Sequence, residues 1–262
     1  MRIATWNVNS LKARLPKVTE WLERREVDVL LMQETKLADD AAPELAFRIA
    51  GYELAHHGEG RWNGVAIASR VGLADVERGF GGVADPDGAR FVSATCGGVR
   101  VASCYAPNGR EVGSEFWLAK LGWFGRLRDW LAGRDPAEAL VLGGDFNVAP
   151  ADLDVWDPAA FVGATHVTAE ERAAFDALLA WGLVDVYRAH HPEGGRFSWW
   201  DYRAGSFHKG QGMRIDHLLA TRTLAARVTV AEIDREARKN PIPSDHAPVL
   251  VEVSDTPVPD AP

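Results

Sequence analysis

Cysteine is scarce, with two in 262 residues, Cys96 and Cys104. They fall in neighbouring strand-like runs separated by Gly97-Gly98. If those glycines make a hairpin turn, Cys96 pairs with Val99 and Cys104 lies opposite Phe91. The sulfurs are then far apart, which argues against a disulfide, and two reduced thiols suit the cytoplasm. No CxxC pair is present. No apolar run approaches the length of a bilayer. The opening Met-Arg-Ile-Ala-Thr-Trp-Asn has no signal-peptide core, so a cytoplasmic protein without a membrane partner is expected. A glycine-rich P-loop and a serine nucleophile elbow are also missing, as are internal repeats and low-complexity tracts. No Pro/Ser/Gly-rich linker divides the chain. Residues 1–253 therefore read as one domain and, by default, a monomer. Residues 254–262, with Pro257, Pro259 and Pro262, read as a flexible tail.

An excess of positive charge is lacking too. Lys and Arg number 29 against 37 Asp and Glu, for a net charge of −8 and a pI near 5.5. The imbalance is local: residues 134–185 hold ten acidic side chains and two arginines, which accounts for the whole −8. The remainder is neutral overall, so a nucleic acid bound on one face is not excluded.

What is present centres on residues 139–147, Ala-Leu-Val-Leu-Gly-Gly-Asp-Phe-Asn. Residues 139–142 predict a buried strand, and the two glycines a sharp turn. Asp145 and Asn147, two apart, should face one site, with Phe146 anchored on the other side. A carboxylate can take a proton there, and an amide can donate to an oxyanion.

Other predicted strand ends share this character. Asn7 lies in a strand over 2–9. Glu34 follows a strand over 28–33, and Tyr105 one over 99–104. Asp216 lies within a strand over 214–220, and Asp245-His246 precede Val249–Val253. Further strands are predicted over 64–69, 91–95, 184–187, 197–200 and Val228–Ile233. Pro16 is placed as the first residue of a helix carrying Val18, Trp21, Leu22 and Arg25. A second helix spans 114–132, with Trp117, Leu121, Phe124, Arg128 and Leu131 on one stripe. A third opens on the capping box Thr168-x-x-Glu171 and ends at Gly182. Strands outnumber helices without regular βαβ alternation, which predicts mixed, mostly antiparallel sheets with helices outside.

Singly, each polar residue has a plainer reading as a solvated carboxylate or a core histidine. Together, Glu34, Asp145, Asp216 and Asp245 cannot all stay ionised near one another without a cation. Oxygen donors with an asparagine suit Mg²⁺ or Mn²⁺ better than zinc. Asp216 can orient and charge His246. Such a set suits hydrolysis of a phosphate ester.

The ordered motifs Trp-Asn-Val-Asn-Ser-Leu, Leu-Met-Gln-Glu-Thr-Lys, Tyr-Ala-Pro-Asn-Gly, Gly-Gly-Asp-Phe-Asn-Val-Ala-Pro, Trp-Gly-Leu-Val-Asp, Phe-Ser-Trp-Trp-Asp-Tyr, Met-Arg-Ile-Asp-His and Pro-Ser-Asp-His-Ala-Pro run from residue 5 to residue 250. In them the chain resembles the exonuclease III and abasic-site endonuclease family. The resemblance implies a four-layer αββα sandwich with the active site at one end of the sheets. It implies Glu34 as the main metal ligand, with Asn7 and Asp245 beside it. Asp145 would activate or orient the attacking water, Asn147 and His246 would hold the scissile phosphate, and Asp216 would orient His246. Tyr105 would lie next to the phosphate. One ion or two remain open, the second lying near Asp145, Asn147 and His246.

The same resemblance implies a DNA-binding side. Trp199 and Trp200, with Met213 and Ile215, match an apolar pocket for a base-less sugar; alternation puts one tryptophan on each face, so at most one lines the site, and Trp199 is preferred. Asn108, Arg110, Lys12 and Lys36 are phosphate-backbone candidates. A mobile loop over 203–212, with Arg203, His208 and Lys209, is a further DNA candidate. Two departures are Asn9, where some relatives carry aspartate, and His217, which should point away from the site. The implied activity is that of a Mg²⁺-dependent DNA-repair phosphodiesterase. It would trim duplex DNA 3′ to 5′ and cut 5′ to abasic sites, leaving a 3′-OH. The rivals are an RNA-binding regulator on the same scaffold and a phosphatase for lipid or inositol phosphates.

Overall fold

The computed structural model describes residues 1–81, 86, 88–239 and 241–256. Strands β1 (Arg2–Asn7) and β2 (Val29–Gln33) are buried at nearly every position. Runs without alternation belong in sheets covered on both faces. The two strands are parallel and joined through α1 (Leu11–Arg25), because a parallel pair needs a long crossover. After α2 (Glu44–Ile49), β3 (Glu53–His57) and β4 (Val65–Ser69) extend this sheet. Strands β5 (Ala74–Arg78), β6 (Phe91–Cys96), β7 (Val99–Tyr105) and β8 (Leu140–Asp145) belong to a second sheet. There β7 and β8 are parallel and joined through α3 (Glu115–Ala132). Helix α4 (Ala169–Trp181), strand β9 (Leu183–Asp185) and helix α5 (Val186–His190) follow. The short pair β10 (Trp199–Trp200) and β11 (Gly212–Met213) brackets α6 (Ser206–Lys209). The chain closes through β12 (Asp216–Thr221), α7 (Arg222–Ala225), β13 (Val228–Ile233) and β14 (Val249–Val253).

One six-stranded sheet runs β13-β14-β1-β2-β4-β3 and the other β5-β6-β7-β8-β12-β9. Every neighbouring pair other than β1/β2 and β7/β8 is antiparallel. Ile3, Leu31, Ile67, Val101, Val141, Leu218 and Val249 fill the space between the sheets. Trp6, Val18, Leu22 and Met32 pack outside the first sheet, and Trp123, Phe124, Phe146 and Phe175 outside the second. This is the expected four-layer sandwich. No helix among the described residues is long and apolar enough to cross a membrane.

The topology gathers the polar strand ends. The C-termini of β1 and β2 leave one edge together, and antiparallel β14 begins there. In the second sheet β7 and β8 end together, with Tyr105 beside Asp145, and β12 starts at Asp216 directly opposite Asp145.

Several local expectations are corrected. Gly143 and Gly144 lie inside β8 and make no turn. They are glycine because a Cβ on Gly144 would come within 1.8 Å of the Cys104 carbonyl oxygen, and one on Gly143 within 2.5 Å of Leu31 Cδ1. Pro16 sits inside α1, because Ser10 caps the helix earlier and Leu11 and Arg14 bury its first turn. Pro16 lies on the exposed face, where water can satisfy the carbonyl that its missing N–H leaves. On α3 the buried face is Trp117, Lys120, Trp123, Phe124, Leu127 and Leu131, while Arg128 is exposed. The stretch 184–187 splits into the end of β9 and the start of α5, because the Asp185 side chain caps the helix at Arg188 N. Only Trp199–Trp200 of 197–200 is strand. Residues 203–209 are short helical turns, and Phe207 packs its ring edge on Trp200, so this segment is not an open loop. Arg203 pairs with Asp201. Cys96 and Cys104 are free and buried, in the register expected of the hairpin. Ser254, placed in the tail, is hydrogen-bonded to Arg227; residues 257–262 lie outside the described residues.

Candidate active site

At the gathered edge, a cleft of about 160 Å³ is lined by Glu34, Tyr105, Asn108, Asp145, Asn147, His166, Trp199, Ile215, Asp245 and His246. Glu34, Asp145 and His246 each present one ligand atom there, all within 4.8 Å of one another. The backbone at Glu34 and Asn147 is left-handed, with φ of 51° at both. Asparagine tolerates this region, whereas a glutamate there is uncommon. The turn after Glu34 is fixed by Thr35, whose buried hydroxyl bonds His56 Nε2 at 2.8 Å, with Asp39 at 2.8 Å from His56 Nδ1. Gly64 gives that hydroxyl room: a Cβ there would come within 2.1 Å of it.

Asn7 joins the first sheet to the second. Its Nδ2 donates to Glu34 Oε1 at 2.9 Å and to Asp145 Oδ2 at 3.0 Å. The other Asp145 oxygen accepts from Asn147 N at 2.9 Å. Phe146 is buried on the opposite side between Phe124 and Phe175, as the local pattern predicts. His246 donates through Nδ1 to Asp216 at 2.8 Å, leaving Nε2 facing the cleft, 3.7 Å from Asp145 Oδ2. Its backbone is anchored by Ser244, whose hydroxyl donates to Asn7 O at 2.6 Å, and by Trp6, which donates to His246 O. Asp216 N and Ile215 N both donate to Ser198 Oγ.

These contacts set the charges. Burial pushes the Asp145 carboxyl up to about 7, with Asp216 and Glu34 adding to the rise while His246 opposes it. Burial disfavours charge on His246, yet Asp216 and Asp145 overcome it and raise the imidazole to about 10. His246 is therefore an imidazolium at neutral pH, a donor aimed at whatever occupies the cleft. Burial, and then the Glu34 carboxylate, raises the Tyr105 phenol, so it too stays a donor. Asp245 is fixed from two sides, by Asn9 Nδ2 at 2.9 Å and Trp199 Nε1 at 3.1 Å.

Other predicted residues fall variously. Ile215 lines the cleft, while Met213 is buried beside it with Val155 and Ala149. Trp199 is at the cleft and Trp200 in the core. Asn108 donates to Asn147 Oδ1 at 3.3 Å. Arg110 is exposed and stacks over Phe116, outside the cleft lining. Lys12 is exposed. Lys36 does not extend into solvent; its ammonium bonds Glu34 Oε2 at 2.9 Å and Asn9 Oδ1 at 2.5 Å. His217 points away, bonding Val148 O and packing on Phe175. His166 was not singled out from sequence. It follows Ala-Thr in a stretch without periodicity, and only its position two residues before the Thr168 cap hints at an ordered loop. Burial, then Lys120, holds its imidazole down to about 3, so it is neutral.

The donor set fits a hard divalent cation. Glu34 and Asp145 present adjacent carboxylate oxygens from separate strand ends, and a cation there would offset the cost of ionising the buried Asp145. An ammonium, Lys36, already sits on Glu34, so a positive charge suits this position.

The sequence matches the endonuclease/exonuclease/phosphatase family over residues 4–246. It is 31% identical to exodeoxyribonuclease III of Haemophilus influenzae, covering 96% of this chain and 99% of that one. It is also similar to the solved 3′-5′ exonuclease NExo of Neisseria meningitidis, with 41% identity, a TM-score of 0.93, and coverage of 97% and 99%. A variant of the Neisseria protein, described as a 3′ phosphatase, was solved with a product DNA hairpin. An AP endonuclease from Archaeoglobus fulgidus is 36% identical, with a TM-score of 0.94 and coverage of 98% and 100%.

Proposed function

The chain belongs to the endonuclease/exonuclease/phosphatase family, and from this we propose that it is a divalent-metal-dependent DNA-repair phosphodiesterase. It trims duplex DNA from 3′ ends and cuts 5′ to abasic sites, leaving a 3′-OH. The observation that carries this reading is the convergence of Glu34, Asp145 and His246 in one cleft, with Asp216 behind His246 and Trp199 and Ile215 on the wall. Residues 1–253 act as one domain and as a monomer.

Glu34 and Asp145 would hold the cation, with Asn7, Asn147 and Asp245 beside them and the His246 imidazolium left to face the phosphate; Mg²⁺ is the ion proposed, and Mn²⁺ the substitute. When bound, such an ion polarises the phosphoryl oxygens and lowers the pKa of water. The chain's own groups do the rest. Asp145 Oδ2 accepts the proton of the attacking water, and the Asn7 and Asn147 N–H groups hold the carboxylate in place. His246 Nε2 donates to a phosphoryl oxygen, and Asp216 keeps the ring protonated and oriented. The Tyr105 hydroxyl donates to the phosphate or to the departing oxygen. Trp199 and Ile215 offer an apolar wall to a small sugar that lacks its base.

A second reading, removal of a terminal 3′-phosphate, is favoured by the likeness to the Neisseria protein described as a 3′ phosphatase. One set of duplexes tests both: a recessed 3′-OH end, a nick bearing a 3′-phosphate, and an internal abasic site, each with Mg²⁺ and with EDTA. Ladders from the recessed end and a single cut at the abasic site are expected with Mg²⁺. A product only from the 3′-phosphate would replace the first reading with the second. No product from any of the three would remove both.

A further inference from the structure

Behind the cleft wall lies a fully buried cation that the chemistry above does not use. Lys120 is on α3 and has no exposed side-chain surface, and neither does its partner Glu171 on α4. The ammonium donates to Glu171 Oε1 at 2.5 Å and to the Asn147 carbonyl at 2.6 Å, and lies 3.4 Å from the Asn108 carbonyl. His166 Nδ1 donates to the same Asn147 carbonyl at 2.5 Å. Glu171 is itself held by the Thr165 hydroxyl at 2.7 Å and by the Thr168 backbone at 3.1 Å. Gly109 leaves the lysine its space, since a Cβ there would lie 3.1 Å from Lys120 Cδ and 2.8 Å from Thr165 Oγ1.

One ammonium thus ties together three separate segments that reach the cleft: the turn at Asn108, the turn at Asn147 and the loop at His166. Asn147 has a left-handed backbone, and its carbonyl is where two donors meet. Left-handed backbone persists where the surroundings over-determine it. A plain stabilising pair would need only the two charges. Here the ammonium's second short bond goes to the Asn147 carbonyl, with Asn108 O, Thr165 Oγ1 and His166 Nδ1 each 3.4 Å away, and burying a charge for such contacts alone is costly.

We propose that Lys120, braced by Glu171, is a positioning residue for the reaction: it clamps the Asn147 and Asn108 carbonyls so that the Asn147 amide and Asp145 keep their attitude toward the scissile phosphate. It touches no reacting atom. The inference rests on the phosphodiesterase reading above, and the test separates the two.

Lys120→Met alone leaves Glu171 buried without its cation and is expected to lose much stability. The double variant, Lys120→Met with Glu171→Gln, removes both charges and keeps a side chain able to cap α4, so most of the stability should return. If Lys120 positions the site, the refolded double variant still has kcat reduced about 100-fold, with KM for a recessed duplex changed by about threefold or less. Hydrogen–deuterium exchange in residues 145–149 should rise without any change in global unfolding. A double variant with wild-type kcat, or with unchanged exchange over 145–149, overturns the proposal. If the wild-type protein cuts no DNA, the functional reading has failed, and the exchange measurement alone decides the clamp.

Discussion

The charge state of His246 is set by its neighbours. Asp216 lies against its Nδ1 and, with Asp145, raises it to about 10 against the opposing effect of burial. In Asp216→Asn the shape is kept and the charge lost. The account predicts that kcat falls about 100-fold or more, with little change in KM. The basic limb of the pH–rate profile should also move to lower pH, as a kcat titration would show. Asp145 gives the opposite signature. Its carboxyl is raised to about 7 by burial and by Asp216 and Glu34, so the folded, metal-free protein holds this proton more tightly than the unfolded chain does. The benefit is present below the unfolded value near 4 and is lost as pH rises through about 7. Metal-free Asp145→Asn should therefore melt above wild type at pH 8 and close to it at pH 4, by calorimetry in EDTA. These residues were legible as polar side chains at strand ends. His166 and Lys120 were not. A lysine on an amphipathic helix reads as a solvated charge, and nothing local shows that Glu171, 51 positions on, draws it inside.

At the scale of elements, β8 packs closely against β7. Gly144 lies so close to β7 that a methyl group would meet the Cys104 carbonyl at 1.8 Å, and that contact is backbone, which cannot swing away. Gly144→Ala should cost about 3 kcal/mol or more, measured as a lowered urea midpoint with unchanged slope. From sequence the same two glycines predict a turn, because glycine marks both turns and close approaches and only tertiary contact distinguishes them. Where the signal was chemical it held: the Gly97-Gly98 hairpin sets Cys96 against Val99, and Thr168 with Glu171 caps α4 from both sides. Where the signal was periodicity alone it slipped. The α3 stripe rotates to bury Lys120 and Leu127 and exposes Arg128, because the helix packs against α4 as well as the sheet. Segment 203–212 reads as loop from its three glycines, yet Phe207 anchors it on Trp200.

At the scale of the whole molecule, the acidic block over 134–185 is less of an obstacle to DNA than its net charge suggests. Much of it is already neutralised inside: Glu171 by Lys120, Asp185 by Arg214, and Asp154 by both Arg214 and Arg188. The sandwich itself could not be read from strand patterns, since mixed sheets have no single periodicity; the order of the motifs supplied it. Its consequence is that residues 34, 145 and 246, far apart in the chain, meet within 4.8 Å. The most direct test of that claim is single-turnover cleavage of a recessed 3′-end duplex by wild type and Glu34→Ala, with DNA affinity measured alongside. The account predicts cleavage by wild type with Mg²⁺, none in EDTA, and a loss of about 100-fold or more in Glu34→Ala at unchanged affinity. Cleavage that persists in EDTA, or a Glu34→Ala variant that cuts at the wild-type rate, would contradict it.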